Sequence, residues 1–352
     1  MKYLRSLLVL SLILLMLISI AFAQDEPITI TLITHDSFNV SDELIENFQE
    51  ETGIIIDILR AGDAGQVVNQ SVLSAGNPLG DVLFGVDNTF LSRALDVEIF
   101  IPYESPLLEK VDEQFILDDT LNVTPISYGD VCINYDIAYF EDNDLDIPES
   151  LADLTSADYE GLLVVENPAT SSPGLAFLMA TIAEFGEPSD ENEYSYLDFW
   201  TDLVANDTLI AEDWSTAYFG NFTQGSEDGT YPLVVSYASS PPFSYSADID
   251  DATTASIVAD GTCFRQIEFA GILDGTEHEA EAQQVIDWML SVAFQEDVPD
   301  QMFVFPVNNE AELPELFAEY AQIPDVPADL DYASIEENRD MWIQDWLETV
   351  LD

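Results

Sequence analysis

Apolar segments with the two-residue period of a strand alternate with helical segments between residues 28 and 88. The strand-like segments are 28–34, 54–59 and 81–87, and helices are expected to begin near residues 41 and 66. Repeated strand–helix units predict a parallel, doubly wound sheet. Such sheets bind ligands beyond the carboxyl ends of their strands. The polar residues expected at those ends are His35, Asp36, Asp63, Asp87 and Asn88.

A second series of strand–helix units begins near residue 151, between two long strand-like segments at 126–136 and 262–273. We expect these long strands to connect two αβ lobes, with a ligand cleft between the lobes and a hinge at the strands. The expected fold class is therefore α/β. We assign 26–126 and 267–307 to lobe 1 and 127–266 to lobe 2, and expect the helices of 308–352 to pack on lobe 2.

The N-terminus has the pattern of a secretory signal peptide. Lys2 and Arg5 precede an apolar run at 7–22, and Ala21-Phe22-Ala23 forms a small-x-small cleavage site. We assign residues 1–23 to this signal and expect an exported protein, periplasmic or in the extracellular cell envelope. An uncleaved membrane anchor is the alternative interpretation.

The chain is strongly acidic, with 69 Asp and Glu against 7 Lys and Arg and a formal net charge of −62. This charge excludes nucleic-acid binding through a basic patch. A cationic partner or adaptation of the whole surface to salt or acid would explain it, and the even spread of carboxylates favours adaptation. Cys132 and Cys263 form either one disulfide or two buried thiols.

The sequence offers no catalytic pattern. His35, Asp36 and Ser37 are consecutive, and successive strand side chains point to opposite faces, so these three cannot form a relay. The acidic series 142–146 starts like a calcium loop, but Ile147 replaces the glycine that such a loop requires. Phosphate-binding and dinucleotide-binding glycine motifs are also missing from the sequence. We therefore predict a protein that is not an enzyme and has neither metal nor cofactor.

Segment 164–177 runs from a short strand through small hydroxyl residues into a helix. Ser171 and Ser172 stand where an N-cap is expected, and Pro173 suits the first helical turn. Free N–H groups and the positive end of the helix could hold a polar ligand group. An ordinary well-capped helix is the alternative.

Several aromatic residues are expected in loops at the tips of the αβ units. They are Trp214, Tyr218, Tyr237, Phe243 and Phe303. Single aromatic residues usually belong to a core. Grouped opposite carboxylates, they would enclose a flat cationic ligand by stacking and cation–π attraction.

Segments along almost the whole chain resemble the thiamine-binding proteins of bacterial ABC importers, within the iron, sulfate and thiamine group of solute-binding proteins. The segments are 34–38, 80–88, 167–174, 214–218, 236–241, 305–307 and 342–346. The resemblance implies a type II periplasmic-binding-protein fold and thiamine, or a thiamine phosphate, as ligand. It also implies delivery to a membrane ABC permease by a protein that is monomeric.

The resemblance also implies roles for individual residues. Asp63 would accept a hydrogen bond from the aminopyrimidine, while Ser171 and Ser172 would hold the hydroxyethyl or phosphate end. The residues expected on the rings are Trp214, Tyr237 and Phe303, with Phe243 beside them. Three positions depart from the family: it usually has tyrosine at His35 and Phe243 and tryptophan at Phe303. Arg265 is the basic residue near the hinge strands that could assist the polar tail.

Two other functions remain open at this stage. The chain could bind another small ligand, such as a ferric ion, an anion or a polyamine. It could also be an exported thiaminase-like enzyme, which would need Cys132 or Cys263 as a free nucleophilic thiol.

Overall fold

The computed structural model describes residues 27–351, in which one large mixed sheet is flanked by helices. The strands are β1 Thr29–Thr34, β2 Ile55–Arg60, β3 Val82–Asp87, β4 Phe100–Ile101, β5 Thr124–Asp136, β6 Leu163–Glu166, β7 Leu209–Ala211, β8 Leu233–Tyr237, β9 Tyr245–Ser246, β10 Asp251–Ala252, β11 Thr254–Ile257, β12 Phe264–Leu273 and β13 Phe305–Pro306. The α-helices are α1 Asp42–Thr52, α2 Ala64–Leu73, α3 Leu91–Leu95, α4 Ile137–Asp142, α5 Ser172–Phe185, α6 Tyr196–Ala205, α7 Glu279–Leu290, α8 Val292–Met302, α9 Glu315–Tyr320 and α10 Tyr332–Val350. The predicted signal peptide lies outside the described residues. Within them, no helix has the length and apolar character needed to span a bilayer.

Two parallel groups of strands share the sheet, whose order is β2-β1-β3-β12-β5-β8-β6-β7. β1 pairs in parallel with β2 and β3, and β6 pairs in parallel with β7 and β8. Between the groups, β12 and β5 run antiparallel from Phe264 opposite Val131 to Ala270 opposite Thr124. The predicted α/β fold, with two long strands connecting two αβ halves, is confirmed. The residue boundaries of the lobes stay a prediction.

Helix α5 lies in the interior and places its first turn at the cleft. Every residue from Ser172 to Ile182 is buried, as expected for a helix that is apolar on all sides. Pro173 occupies its first turn and Gly186 ends it at a φ of 70°. Ser171 is in the N-cap position, but its side chain makes no capping hydrogen bond.

The C-terminal helix α10 contacts both halves of the protein. Trp346 packs edge-on against Trp200 of α6, with ring centroids 5.3 Å apart. Arg339 donates from Nη1 to Ser92 Oγ at 3.1 Å and lies over the ring of Phe90. The tail therefore packs against α6 and also reaches α3, and its assignment to lobe 2 stays a prediction.

Candidate functional site

A cavity of about 690 Å³, its open mouth included, lies between the two halves of the sheet. The end of β8, the first turns of α2 and α5 and the segment after β1 surround it, and β12 lines its base. One part of its lining, the aromatic wall, consists of aromatic residues, and another part, the polar wall, consists of polar residues.

The aromatic wall consists of Trp214, Tyr218, Phe219, Phe243 and Phe303. Trp214 stacks on Tyr218 with centroids 5.1 Å apart, and Phe243 meets Phe303 edge-on at 4.9 Å. Phe219 and Phe243 remain 44% and 47% exposed, so both rings present apolar surface to the solvent. A flat ligand with a positive charge would cover these rings.

Asp63 lines the cavity beside Trp214 of the aromatic wall. It caps α2, accepting from the N–H of Ala64 at 2.6 Å, and its other oxygen accepts from the N–H of Trp214 at 3.1 Å. Burial raises the pKa of Asp63, while these two backbone donors oppose that rise. The carboxylate thus joins the end of β2 to the aromatic wall and can still accept from a ligand donor.

His35 and Glu268 form an ion pair in the polar wall, with Nε2 and Oε1 3.2 Å apart. Burial alone would lower the pKa of His35, but the contact with Glu268 raises it overall. Burial alone would raise the pKa of Glu268, but His35 lowers it overall. Ser127 on β5 donates to the other carboxylate oxygen at 2.8 Å. The contact therefore favours the charged forms of both side chains, although Nε2 of His35 makes no geometrically acceptable hydrogen bond within residues 27–351.

A hydrogen-bonded network forms the base of the cavity. Ser172 donates its hydroxyl to Asp87, and the Gln266 side-chain amide donates to Asp87 at 3.1 Å and contacts Ser172. Tyr237 donates to Gln266 Oε1 at 3.0 Å. Burial raises the pKa of Asp87 to about 6, while hydrogen bonds from Thr89 oppose the rise. The hydroxyl of Ser172 is thus committed to a neighbouring carboxylate.

Two polar residues of the α5 loop lie behind the cavity wall. Ser171 is fully buried, and its hydroxyl makes no geometrically acceptable hydrogen bond within residues 27–351. Glu166, at the end of β6, is also fully buried, and neither of its oxygens has a partner in that range. Burial raises the pKa of Glu166 well above its ordinary value, and the charge of Asp63 adds to the rise.

The structure brings eight of the nine predicted binding residues to the cavity. They are His35, Asp63, Ser172, Trp214, Tyr218, Tyr237, Phe243 and Phe303. Ser171 lies beneath the lining. Sequence reasoning missed Phe219, Gln266 and Glu268, which also line the cavity. The sequence feature that could have identified Gln266 and Glu268 is the presence of polar residues within an otherwise apolar strand.

The cysteines and Arg265 lie along the two connecting strands. Cys132 and Cys263 form a disulfide, which confirms that prediction. Arg265 makes a two-pronged ion pair with the buried Asp130, at 3.0 and 2.8 Å, and lies over the ring of Tyr128. Arg265 and Tyr128 line a different cavity, so Arg265 does not supply a charge to the candidate site.

Known proteins resemble the chain along most of its length. The thiamine-binding periplasmic protein of Escherichia coli K12 is 25% identical over 330 residues, covering 91% of this chain and 93% of that protein. Its counterpart from Brucella suis is 26% identical over 337 residues, covering 94% of each. The solved structure of a periplasmic thiamin binding protein superposes with a TM-score of 0.79 at 25% identity, covering 92% of this chain and 96% of that one.

These similarities confirm the type II binding-protein fold and the resemblance recognised in the sequence. The family model described as bacterial extracellular solute-binding protein matches residues 77–331. Membership in an extracellular family agrees with the predicted export. The chain belongs to the family of bacterial extracellular solute-binding proteins.

Proposed function

We propose that this protein captures thiamine in the cavity between its aromatic and polar walls and delivers it to a membrane ABC permease. The observation that carries the proposal is the placement of Trp214 and Tyr218 beside Asp63 in one cavity. Thiamine combines an aminopyrimidine, a cationic thiazolium ring and a hydroxyethyl tail. Each part has a chemically suitable counterpart there, and the thiamine-binding relatives align over more than 90% of the chain.

The rings of thiamine match the aromatic wall and Asp63. A thiazolium cation gains cation–π attraction from the faces of aromatic side chains, worth about 0.5–2 kcal/mol per contact. The exocyclic amine of the pyrimidine needs an acceptor, which the carboxylate of Asp63 provides. Phe243 and Phe303 then close the open side of the rings.

The hydroxyethyl tail matches the polar base. Ser172, Gln266, Glu268 and His35 all line the cavity there. A free hydroxyl needs one acceptor and one donor, and the oxygen of Glu268 facing His35 offers an acceptor. In this arrangement Ser171 supports the loop from behind and does not touch the ligand.

Ferric ion fits the cavity less well. Protein sites for ferric ion commonly use phenolate oxygens, and the two tyrosines of the cavity resist ionisation. Burial raises the pKa of Tyr218. Burial also raises the pKa of Tyr237, and the charges of nearby carboxylates raise it further. Tyr237 is also committed as a donor to Gln266. These features favour an organic cation.

A thiaminase-like reaction would need a nucleophilic thiol. Cys132 and Cys263 are bonded to each other, so neither has a thiolate to offer. We therefore propose a binding protein that performs no catalysis and uses no cofactor. It acts as a monomer, with a small-molecule ligand and a permease as partners, and its net charge of −62 opposes any role with nucleic acid.

Isothermal titration of the exported protein with thiamine tests the proposal. We expect saturable binding of one thiamine per chain, together with quenching of tryptophan fluorescence because Trp214 lies on the ligand. The absence of both heat and quenching at micromolar to millimolar thiamine would contradict it.

Oxythiamine provides a matched control ligand because an oxygen replaces the exocyclic amine. If Asp63 accepts from that amine, oxythiamine should bind about 30-fold or more weakly, since the buried acceptor loses its donor. Equal affinities would contradict the role of Asp63 while leaving the proposed ligand in place.

A further inference from the structure

The polar end of the cavity is poor in cationic side chains that could hold a phosphate. Among the described residues that line the cavity, none is lysine or arginine, and Glu268 places a carboxylate in the polar wall. Asp87 adds a second carboxyl group directly behind Ser172 and Gln266. A phosphate ester placed here would meet charges of its own sign.

Three uncharged side-chain donors at this end are already committed to the protein. The hydroxyl of Ser172 is directed to Asp87, and that of Tyr237 to Gln266. The Gln266 amide nitrogen donates to Asp87 as well. A phosphate would have to displace these bonds, and buried groups left without partners carry a large cost.

Among the described residues that line the cavity, His35 is the one that can carry a positive charge, and it is paired with Glu268. Their atoms are 3.2 Å apart, and the side chains are only 11% and 10% exposed. If a phosphate replaced Glu268 as the partner of His35, the carboxylate of Glu268 would remain buried beside the new anion. Breaking one half of a buried ion pair is strongly unfavourable.

Arg265 cannot compensate for this charge. Both of its guanidinium bonds go to Asp130, whose side chain is fully buried. Its side chain lines the other cavity with Tyr128. If the side chain of Arg265 turned towards the candidate site, Asp130 would lose its partner.

We propose that this cavity selects the free hydroxyethyl form of its ring ligand over the phosphate esters, and that Glu268, paired with His35, is the residue that determines this specificity. The inference rests on the proposed function. A free hydroxyl is small and uncharged and can donate to Glu268, whereas a phosphate must approach the same carboxylate.

Competitive titrations with thiamine, thiamine monophosphate and thiamine diphosphate test the inference on the unmodified protein. We expect thiamine to bind at least about tenfold more tightly than either ester. If thiamine binds and an ester binds with similar or higher affinity, the selectivity is overturned and the proposed function stands. If neither thiamine nor an ester binds, the proposed function fails and the inference fails with it.

Glu268→Gln tests the assigned residue, because glutamine keeps the shape and can still accept from Ser127. We expect the ratio of the monophosphate Kd to the thiamine Kd to fall about tenfold or more. Glu227→Gln removes an equal charge from an exposed site and should leave the ratio unchanged. An unchanged ratio in a folded Glu268→Gln protein, or an equal fall in Glu227→Gln, would overturn the role of Glu268. Should Glu268→Gln fail to fold, the ratio measured on the unmodified protein decides the selectivity.

Discussion

The two walls of the cavity are built on different physical principles. The rings of the aromatic wall support one another by stacking and edge contacts, and two of them remain about half exposed. The polar wall is built on the buried ion pair of His35 and Glu268, whose carboxylate also accepts a hydrogen bond from Ser127. We infer that the aromatic wall supplies most of the affinity for any flat cation and that the polar wall discriminates among such ligands.

Removing the largest ring should have the largest effect on affinity. We expect Trp214→Ala to weaken thiamine binding about 100-fold, because stacking area and cation–π attraction are lost together. Trp214→Phe keeps a ring and loses only the indole donor to Ser236, at 3.0 Å, so its loss should be much smaller. Titration calorimetry of both variants checks this order. Similar losses in the two variants would mean that the donor matters more than the ring.

Neutralising Asp63 should have the next largest effect. Asp63→Asn should weaken thiamine binding about 30-fold, because one negative charge beside the cation and a strong acceptor for its amine are lost. Asp36→Asn is the control, since Asp36 is exposed and accepts only from the N–H of Gly62. If both substitutions weaken binding equally, the general negative field attracts the ligand and no specific acceptor is needed.

A substitution that prevents the two halves from closing fully on the ligand should have a smaller effect on affinity. A Cβ at Gly65 would lie 2.8 Å from the carbonyl oxygen of Thr170, in the loop before α5. Gly65→Ala should therefore prevent full closure and weaken binding about tenfold. Gly220→Ala adds the same methyl where the nearest atom is 3.9 Å away, and should bind normally. X-ray scattering with saturating thiamine should show a larger radius of gyration for Gly65→Ala alone. An unchanged radius and affinity would show that this contact does not limit closure.

Glu166 lies behind the walls and should affect stability with little effect on binding. A carboxyl whose pKa is raised in the folded state holds its proton more tightly there than in the unfolded chain. The free energy of unfolding therefore falls as pH rises above the ordinary pKa of glutamate, until the folded-state pKa is passed. Glutamine does not titrate, so Glu166→Gln should lack this loss.

Urea unfolding at pH 5 and pH 8 measures the effect of Glu166. The free energy of unfolding of Glu166→Gln relative to the unmodified protein should rise between these pH values, because only the unmodified protein loses the stability that tighter proton binding gives its folded state. The affinity for thiamine should change less than about twofold. A constant difference in stability across this range would show that Glu166 ionises normally in the folded protein.

The sequence was a better guide to the aromatic wall than to the polar one. Trp214, Phe243 and Phe303 could be predicted because ring type and loop position are visible locally. Glu268 could not, because its role depends on His35 and Ser127, which approach it only when β12 pairs with its neighbours. The same long-range packing buries Ser171, although its position before α5 made it a reasonable ligand residue.

The fold itself was largely predictable because strand and helix periods are local signals. The alternation in residues 28–88 and the two long strands were sufficient to expect two αβ halves and their connection. The contact of Arg339 with Ser92 was not predictable, since no local pattern in α10 identifies the distant partner of a single arginine.

A crystal structure of the thiamine complex would test most directly whether thiamine binds between these two walls. We expect the thiazolium ring against Trp214, the pyrimidine amine within hydrogen-bonding distance of Asp63, and the hydroxyethyl group near Glu268. Thiamine bound elsewhere, with this cavity filled only by solvent, would overturn the proposed function of the cavity.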